Sequence, residues 1–218
     1  MSGRKQFEEE LEELKDELVA MCRLTADMIT NANTALEKLD RELGRSVGES
    51  DKRVDEYEMD IEKRCMRILI RRQPVAKDFR FVSTALKMIT DIERFGDQAS
   101  DIGDLVYTMP GDTYIKKLDH LRAMGELAVR MVRESVNSFI RNDEKLADEV
   151  IATDDEMDTL FLEVQKELID ILRKDGEHSA DQAITFMMVA KYLERIGDHA
   201  VNVAEWAKYN ETGVHTKN

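Results

Sequence analysis

Proline and cysteine are almost missing from this chain, with two of each in 218 residues, and aromatic residues make up only 6%. So few prolines, alongside 36% charged residues and much Ala, Leu, Glu, Lys and Met, exclude a turn-rich β architecture and favour long helices. Cys22 and Cys65 lie far apart in helical patterns without a spaced motif, so they read as buried free thiols. No apolar run approaches the ~18 residues that a membrane helix requires. Positive charge is short as well: 32 Lys and Arg against 46 Asp and Glu leave −14, which excludes a broad electrostatic grip on nucleic acid. A Gly-rich phosphate loop is absent, as is the repeated Glu-x-x-His of ferritin-like di-iron enzymes. The first residues are polar and show no secretory signal, so a soluble cytoplasmic protein that does not insert into a membrane is expected.

What the chain does have, it has twice. Glu93-Arg94-Phe95-Gly96-Asp97 returns as Glu194-Arg195-Ile196-Gly197-Asp198, and the pair Asp51, Asp55 returns as Asp154, Asp158. Leu24/Leu127, Val47/Val150 and Ile68/Ile171 differ by 103; Thr84/Thr185 and Gly96/Gly197 differ by 101. The register changes where Arg72-Gln73-Pro74-Val75 faces Lys174-Asp175-Gly176-Glu177, a place where a turn absorbs the difference. The chain is therefore an internal duplication.

Breakers divide each copy into three. Gly44 and Gly48 are expected to separate a helix over roughly 4–43 from one over roughly 49–73, which Pro74 ends. A third helix is expected over about 76–107, and Met109-Pro110-Gly111-Asp112 marks the boundary between copies. In the second copy the breaks fall at Asn142-Asp143 and Asp175-Gly176. The expected fold is all-α: six long helices forming two tandem, pseudo-symmetric three-helix bundles, residues 1–109 and 110–218. Val54, Ile61 and Ile68, like Met157, Val164 and Ile171, recur every seven residues as core stripes.

The acids do not lie on the solvated side. At 100° per residue, Asp97 falls within about 40° of Glu93 and of the apolar line Val82, Leu86, Ile89; Asp198 and Glu194 align in the same way with Met187 and Ala190. On the second helix Asp51 and Asp55 line up with Cys65 and Leu69, and Asp154 and Asp158 with Phe161 and Leu168. Packed along these faces, four carboxylates would converge in each bundle. Two carboxylates about 6 Å apart repel by roughly 3 kcal/mol at an effective dielectric near 20, and a multivalent cation is the simplest relief. Oxygen ligands suit hard ions such as Mg²⁺, Mn²⁺, Ca²⁺ or ferric iron. Glu58 and Glu62 extend the acids in the first copy only, and read as solvent-facing or as ligands at that one site. Mid-helix Gly96 and Gly197 imply close backbone approach beside the acids, and His199 reads as surface. A metal-free helical scaffold, its acids paired with Lys and Arg, is the competing reading.

Gln73-Pro74-Val75-Ala76-Lys77-Asp78-Phe79-Arg80, followed by Glu93-Arg94-Phe95-Gly96-Asp97, resembles the PhoU family of phosphate-transport regulators, with Phe79 in place of the usual Leu. The resemblance covers nearly the whole chain. It implies a cytoplasmic, often dimeric, non-enzymatic protein that binds multinuclear iron or zinc, or magnesium or manganese, through the acidic motifs. It further implies a negative regulator of the phosphate-starvation response that links a phosphate ABC transporter, through its ATPase, to a sensor histidine kinase. An accessory protein of another phosphate or anion transporter is the nearby alternative. Motif by motif, the resemblance assigns Asp51, Asp55, Glu93, Asp97 and Asp101 to one metal site and Asp154, Asp158, Glu194, Asp198 and Asn202 to the other.

Overall fold

The computed structural model describes residues 2–214 as helices joined by short turns. In chain order these are α1 (Ser2–Lys38), α2 (Arg41–Glu49), α3 (Asp51–Arg72), α4 (Ala76–Tyr107), α5 (Asp119–Arg141) and α6 (Glu144–Thr212). The 69-residue run of α6 is bent at Asp175, whose φ of −150° and ψ of 64° are not helical. Its two arms therefore act as the second and third helices of the second bundle, as the Asp175-Gly176 break predicts.

The first turn sits five residues earlier than the glycines suggest. The chain leaves α1 at Leu39, with φ of 53°, and Asp40 Oδ1 then accepts the amide of Leu43 at 3.0 Å to cap α2. Asn142 (φ 51°) and Asp143, which caps Leu146 at 3.0 Å, repeat this turn 103 residues later. Such a cap contributes about 1 kcal/mol. Gly44 and Gly48 lie inside α2 and serve packing instead. A Cβ on Gly44 would stand 2.8 Å from the carbonyl oxygen of Gly103, and one on Gly103 only 2.4 Å from that of Gly44. The two glycines let α2 cross α4 backbone against backbone. Gln73 turns the chain out of α3 with φ of 46°, just before Pro74.

Residues 108–118 connect the copies and are tied down from both sides. Arg41 Nη2 donates to the carbonyls of Met109 (3.1 Å) and Gly111 (2.5 Å). The Gln182 amide donates to Pro110 and Thr113 and accepts from Ile115 N. Tyr114 donates to the carbonyl of Leu36.

The bundles pack side by side, α1 against α5 and α4 against α6, with one apolar core running through both. Phe81 stacks on Phe139 at 4.8 Å across this seam. Val54, Ile61, Ile68, Met157 and Val164 are buried as their seven-residue spacing predicts, and both cysteines are buried and free. Loss of solvation pushes each thiol up to about 12.

Candidate metal centres

Each bundle forms an acidic groove where its second and third helices meet. In the first, α3 supplies Asp51 and Asp55, and α4 supplies Glu93 and Asp97. The glycine between the α4 acids lets the helices touch: a Cβ on Gly96 would meet Val54 Cγ1 at 3.2 Å and Asp51 Oδ1 at 3.4 Å. The second groove has the same construction, with Gly197 facing Met157 Cγ at 3.3 Å and Asp154 Oδ1 at 3.4 Å. The close approach expected beside the acids is therefore present in both copies. A cleft of about 510 Å³ opens here, lined by Asp154, Asp155, Asp198, Asn202 and Glu205.

These carboxylates act on one another. Burial, and then the charges of Asp97 and Arg94, leave Glu93 raised to about 7, with Glu58 and Asp55 pushing the same way as Asp97. Burial followed by Asp97, Asp55 and Asp101 raises Asp51. In the second groove burial, Asp198, Asp158 and Glu194 raise Asp154 to about 6, and burial and Glu194 raise Asp198. Asp55 and Asp158 stand exposed at the rims, while the Glu93 and Glu194 side chains are only 16% and 14% exposed. All eight duplicated acids thus belong to two mutually repelling groups.

The charge is only partly offset. Arg94 pairs with Asp97 and Glu93 in the first groove. Lys191 pairs with Glu194 in the second while lying over the Phe161 ring. Asp154 Oδ1 remains buried with no hydrogen-bond partner, a costly state for a carboxylate oxygen. Among the described residues no three His, Cys, Asp or Glu side chains stand as a ready-made cage. Besides Arg94 and Lys191, His199 opposes the charge of Asp198 and Arg195 that of Asp101. The donor set nonetheless fits a hard cation: it is all oxygen, anionic, and contains one orphaned buried oxygen where the two helices meet beside Gly197.

Glu58 is a further member of the first group. It accepts from Thr90 Oγ1 at 3.3 Å, and burial is the main cause that raises it. Its counterpart is Phe161, so duplication gave no signal for it. Asp101 and Asn202 have a second role, at the seam between bundles. Asn202 Nδ2 donates to Asp91 Oδ1 at 3.1 Å, and His199 Nδ1 lies 2.9 Å from the same oxygen. Tyr192 donates to Asp101. Asp91 corresponds to Tyr192 and Asp101 to Asn202, so these links are two copies of one contact. His199 is therefore a seam residue with a half-buried side chain, not the free surface histidine its angle suggests.

The PhoU domain model matches twice, over residues 18–106 and 121–207. The chain belongs to the PhoU family. A relative from Clostridium acetobutylicum, "Phosphate-specific transport system accessory protein PhoU homolog", is 34% identical over 96% of both chains. One of the same description from Aquifex aeolicus is 36% identical over 85% of this chain and 84% of its own. The crystal structure of PhoU from Pseudomonas aeruginosa matches with a TM-score of 0.90 at 32% identity, covering 95% of this chain and all of that one. The Streptococcus pneumoniae phosphate transport system regulatory protein PhoU matches equally well at 26% identity, covering 97% of this chain and all of that one. The PhoU fold, two tandem three-helix bundles, is thus the fold of this chain. Both matched spans enclose a complete acid set, and residues 107–120 between them contain the strapped connector.

Proposed function

We propose that this protein is a metal-binding regulatory adaptor of a phosphate transport system and restrains phosphate uptake and the starvation response. The reading rests above all on one observation: the family's duplicated acidic motifs here form two interacting carboxylate groups, one with a buried oxygen that nothing satisfies. Asp51, Asp55, Glu93 and Asp97, with Glu58 beside them, would hold the ions of the first bundle. Asp154, Asp158, Glu194 and Asp198 would hold those of the second, with Asp101 and Asn202 at the edges nearest the seam. Bound cations supply positive charge that removes the repulsion between opposed helices. The protein's own contribution is to fix α3 against α4, and the two arms of α6 against each other, through glycines whose missing side chains let the helices approach closely.

A stiffened bundle pair then presents a constant surface to partners. By the family reading these are the transporter's ATPase and a membrane sensor histidine kinase, met in the cytoplasm by a homodimer. Catalysis is not part of the proposal, which gives the carboxylates the work of ligands. No helix among the described residues is long and apolar enough to cross a membrane, so contact with the transporter would be peripheral. The names of the relatives favour phosphate over another anion. The direct test is affinity capture with tagged full-length protein, with and without a chelator. Co-purification of the ATPase and the kinase, weakened by chelation, supports the reading. Capture of a different transporter's components, or of neither protein, overturns it.

A further inference from the structure

The duplication provides an internal control: exposed features present in one bundle and absent from the other are not demanded by the fold. The far end of the first bundle, around the Gln73–Ala76 turn, has such a feature. Ile70 is 69% exposed and Val75 77%, and Met66 and Phe79 are also exposed. Arg67, Arg71 and Lys77 stand among them, exposed and in no ion pair among the described residues, although the charge of Arg71 reaches Glu10 and helps to lower its carboxyl. At the matching places the second bundle has Arg173 for Ile70, Gly176 for Val75, Ala180 for Phe79, Asp170 for Arg67 and His178 for Lys77. Ile169, at the place of Met66, stays 42% exposed, Leu172 is 37% exposed and Lys174 keeps the charge of Arg71, so copy two has lost three of these four apolar side chains and reversed one of the charges.

Solvation accounts poorly for this end. Exposed aliphatic and aromatic side chains grouped on one tip mark a contact surface, and the cations beside them give that surface a positive charge that the −14 chain as a whole lacks. On α3, Met66 and Ile70 are four residues apart, one turn of a helical ridge, and Arg67 and Arg71 form the adjoining ridge. A partner helix laid along them would meet apolar side chains on one line and guanidinium groups on the next. We infer that this tip of the first bundle is the docking surface for an amphipathic, acidic helix of a partner protein. This deepens the adaptor reading above by naming the face and the chemistry of its partner.

An anionic bilayer would also offer negative charge, but charge disfavours it. A membrane opposes the molecule as an extended plane, so every acid within about 8 Å of that plane around the tip is repelled together. A single helix engages only the tip, and the remaining acids beyond about 8 Å are screened.

The test places photoreactive benzoylphenylalanine at Ile70, or as a control at Ile169 on the second bundle, in the full chain inside its native cell. Crosslinked peptides are identified by mass spectrometry. The expected adduct joins position 70, but not position 169, to an acidic amphipathic segment of another protein. Its yield should fall about tenfold with Arg67→Glu plus Arg71→Glu, and likewise with Lys77→Glu, which guards against misfolding of the double variant. Thermal melting within a few degrees of wild type confirms that each variant is folded. An adduct only to a second copy of this chain, only to lipid, equally from position 169, insensitive to charge reversal, or no adduct at all overturns the assignment. The identity of the crosslinked protein tests the transporter reading separately, since a charge-dependent adduct to an unrelated protein keeps this face and removes that reading.

Discussion

Replacing Asp154 by Asn should stabilise the metal-free protein, the reverse of what deleting a structural residue does. The buried Oδ1 of Asp154 has no partner and its carboxyl is raised to about 6 from an ordinary 3.8, chiefly by burial and then by Asp198, Asp158 and Glu194. That difference corresponds to about 3 kcal/mol, which solvent screening at the half-open cleft reduces to about 1–2 kcal/mol. The sign follows from linkage. The folded chain holds this proton more tightly than the unfolded chain, so stability is full below about pH 4 and declines as pH rises to about 6. At pH 7.5 the neutral amide avoids that loss, and chelated Asp154→Asn should melt about 2–6 °C above chelated wild type. At pH 4 the two should melt together. Millimolar Mg²⁺ or Mn²⁺ should raise the wild-type melting temperature and raise the variant's less, because one ligand is missing. Differential scanning calorimetry at both pH values reads all of this. A metal-free variant that melts below wild type at pH 7.5, or a difference that is the same at pH 4, would refute the electrostatic account of the groove.

Other outcomes follow from the same geometry. Gly103→Ala places a methyl 2.4 Å from the Gly44 carbonyl oxygen, with backbone on both sides, and should cost about 2–3 kcal/mol in urea unfolding. Gly3→Ala, which meets nothing within 4 Å, is the neutral comparison. Asp91→Ala removes the acceptor shared by His199 and Asn202 and should destabilise by about 1–2 kcal/mol. Hydrogen exchange should then show faster opening of α4 and the second arm of α6 than of α2. Cys22 and Cys65, buried with thiols near pH 12, should resist iodoacetamide in the native protein and label fully in denaturant; quick native labelling of either would mean that the core opens there.

Much of this architecture was legible because duplication checks every assignment. Asp51 and Asp154, or Gly96 and Gly197, could each be dismissed singly, yet matched register made their meeting across two helices the simplest reading. The errors arise where the copies diverge or where a residue type misleads. Leu39 takes a left-handed conformation that its side chain disfavours, so the true turn was hidden and Gly44 and Gly48 drew attention instead. Their actual role, the backbone crossing against Gly103, belongs to tertiary packing and has no periodic signature. His199 lies off the stripe of its own helix. What covers it is Asp91 of the other bundle, and helical angles say nothing about how bundles pair. Glu58 was obscured by Phe161 at its matching position, and the cations that occupy the grooves, Arg94 and Lys191, come from non-equivalent positions.

The account stands or falls on the cation capacity of the two grooves. Elemental analysis of gently purified protein, set beside the Glu93→Ala plus Asp97→Ala variant, measures it directly. Two comparable sites predict that the metal-to-protein ratio falls by about half in the variant and to near zero when Glu194 and Asp198 are replaced as well. Ratios that stay the same through both steps, or wild-type protein that takes up no metal even after incubation with Mg²⁺, Mn²⁺ or iron, would contradict the claim.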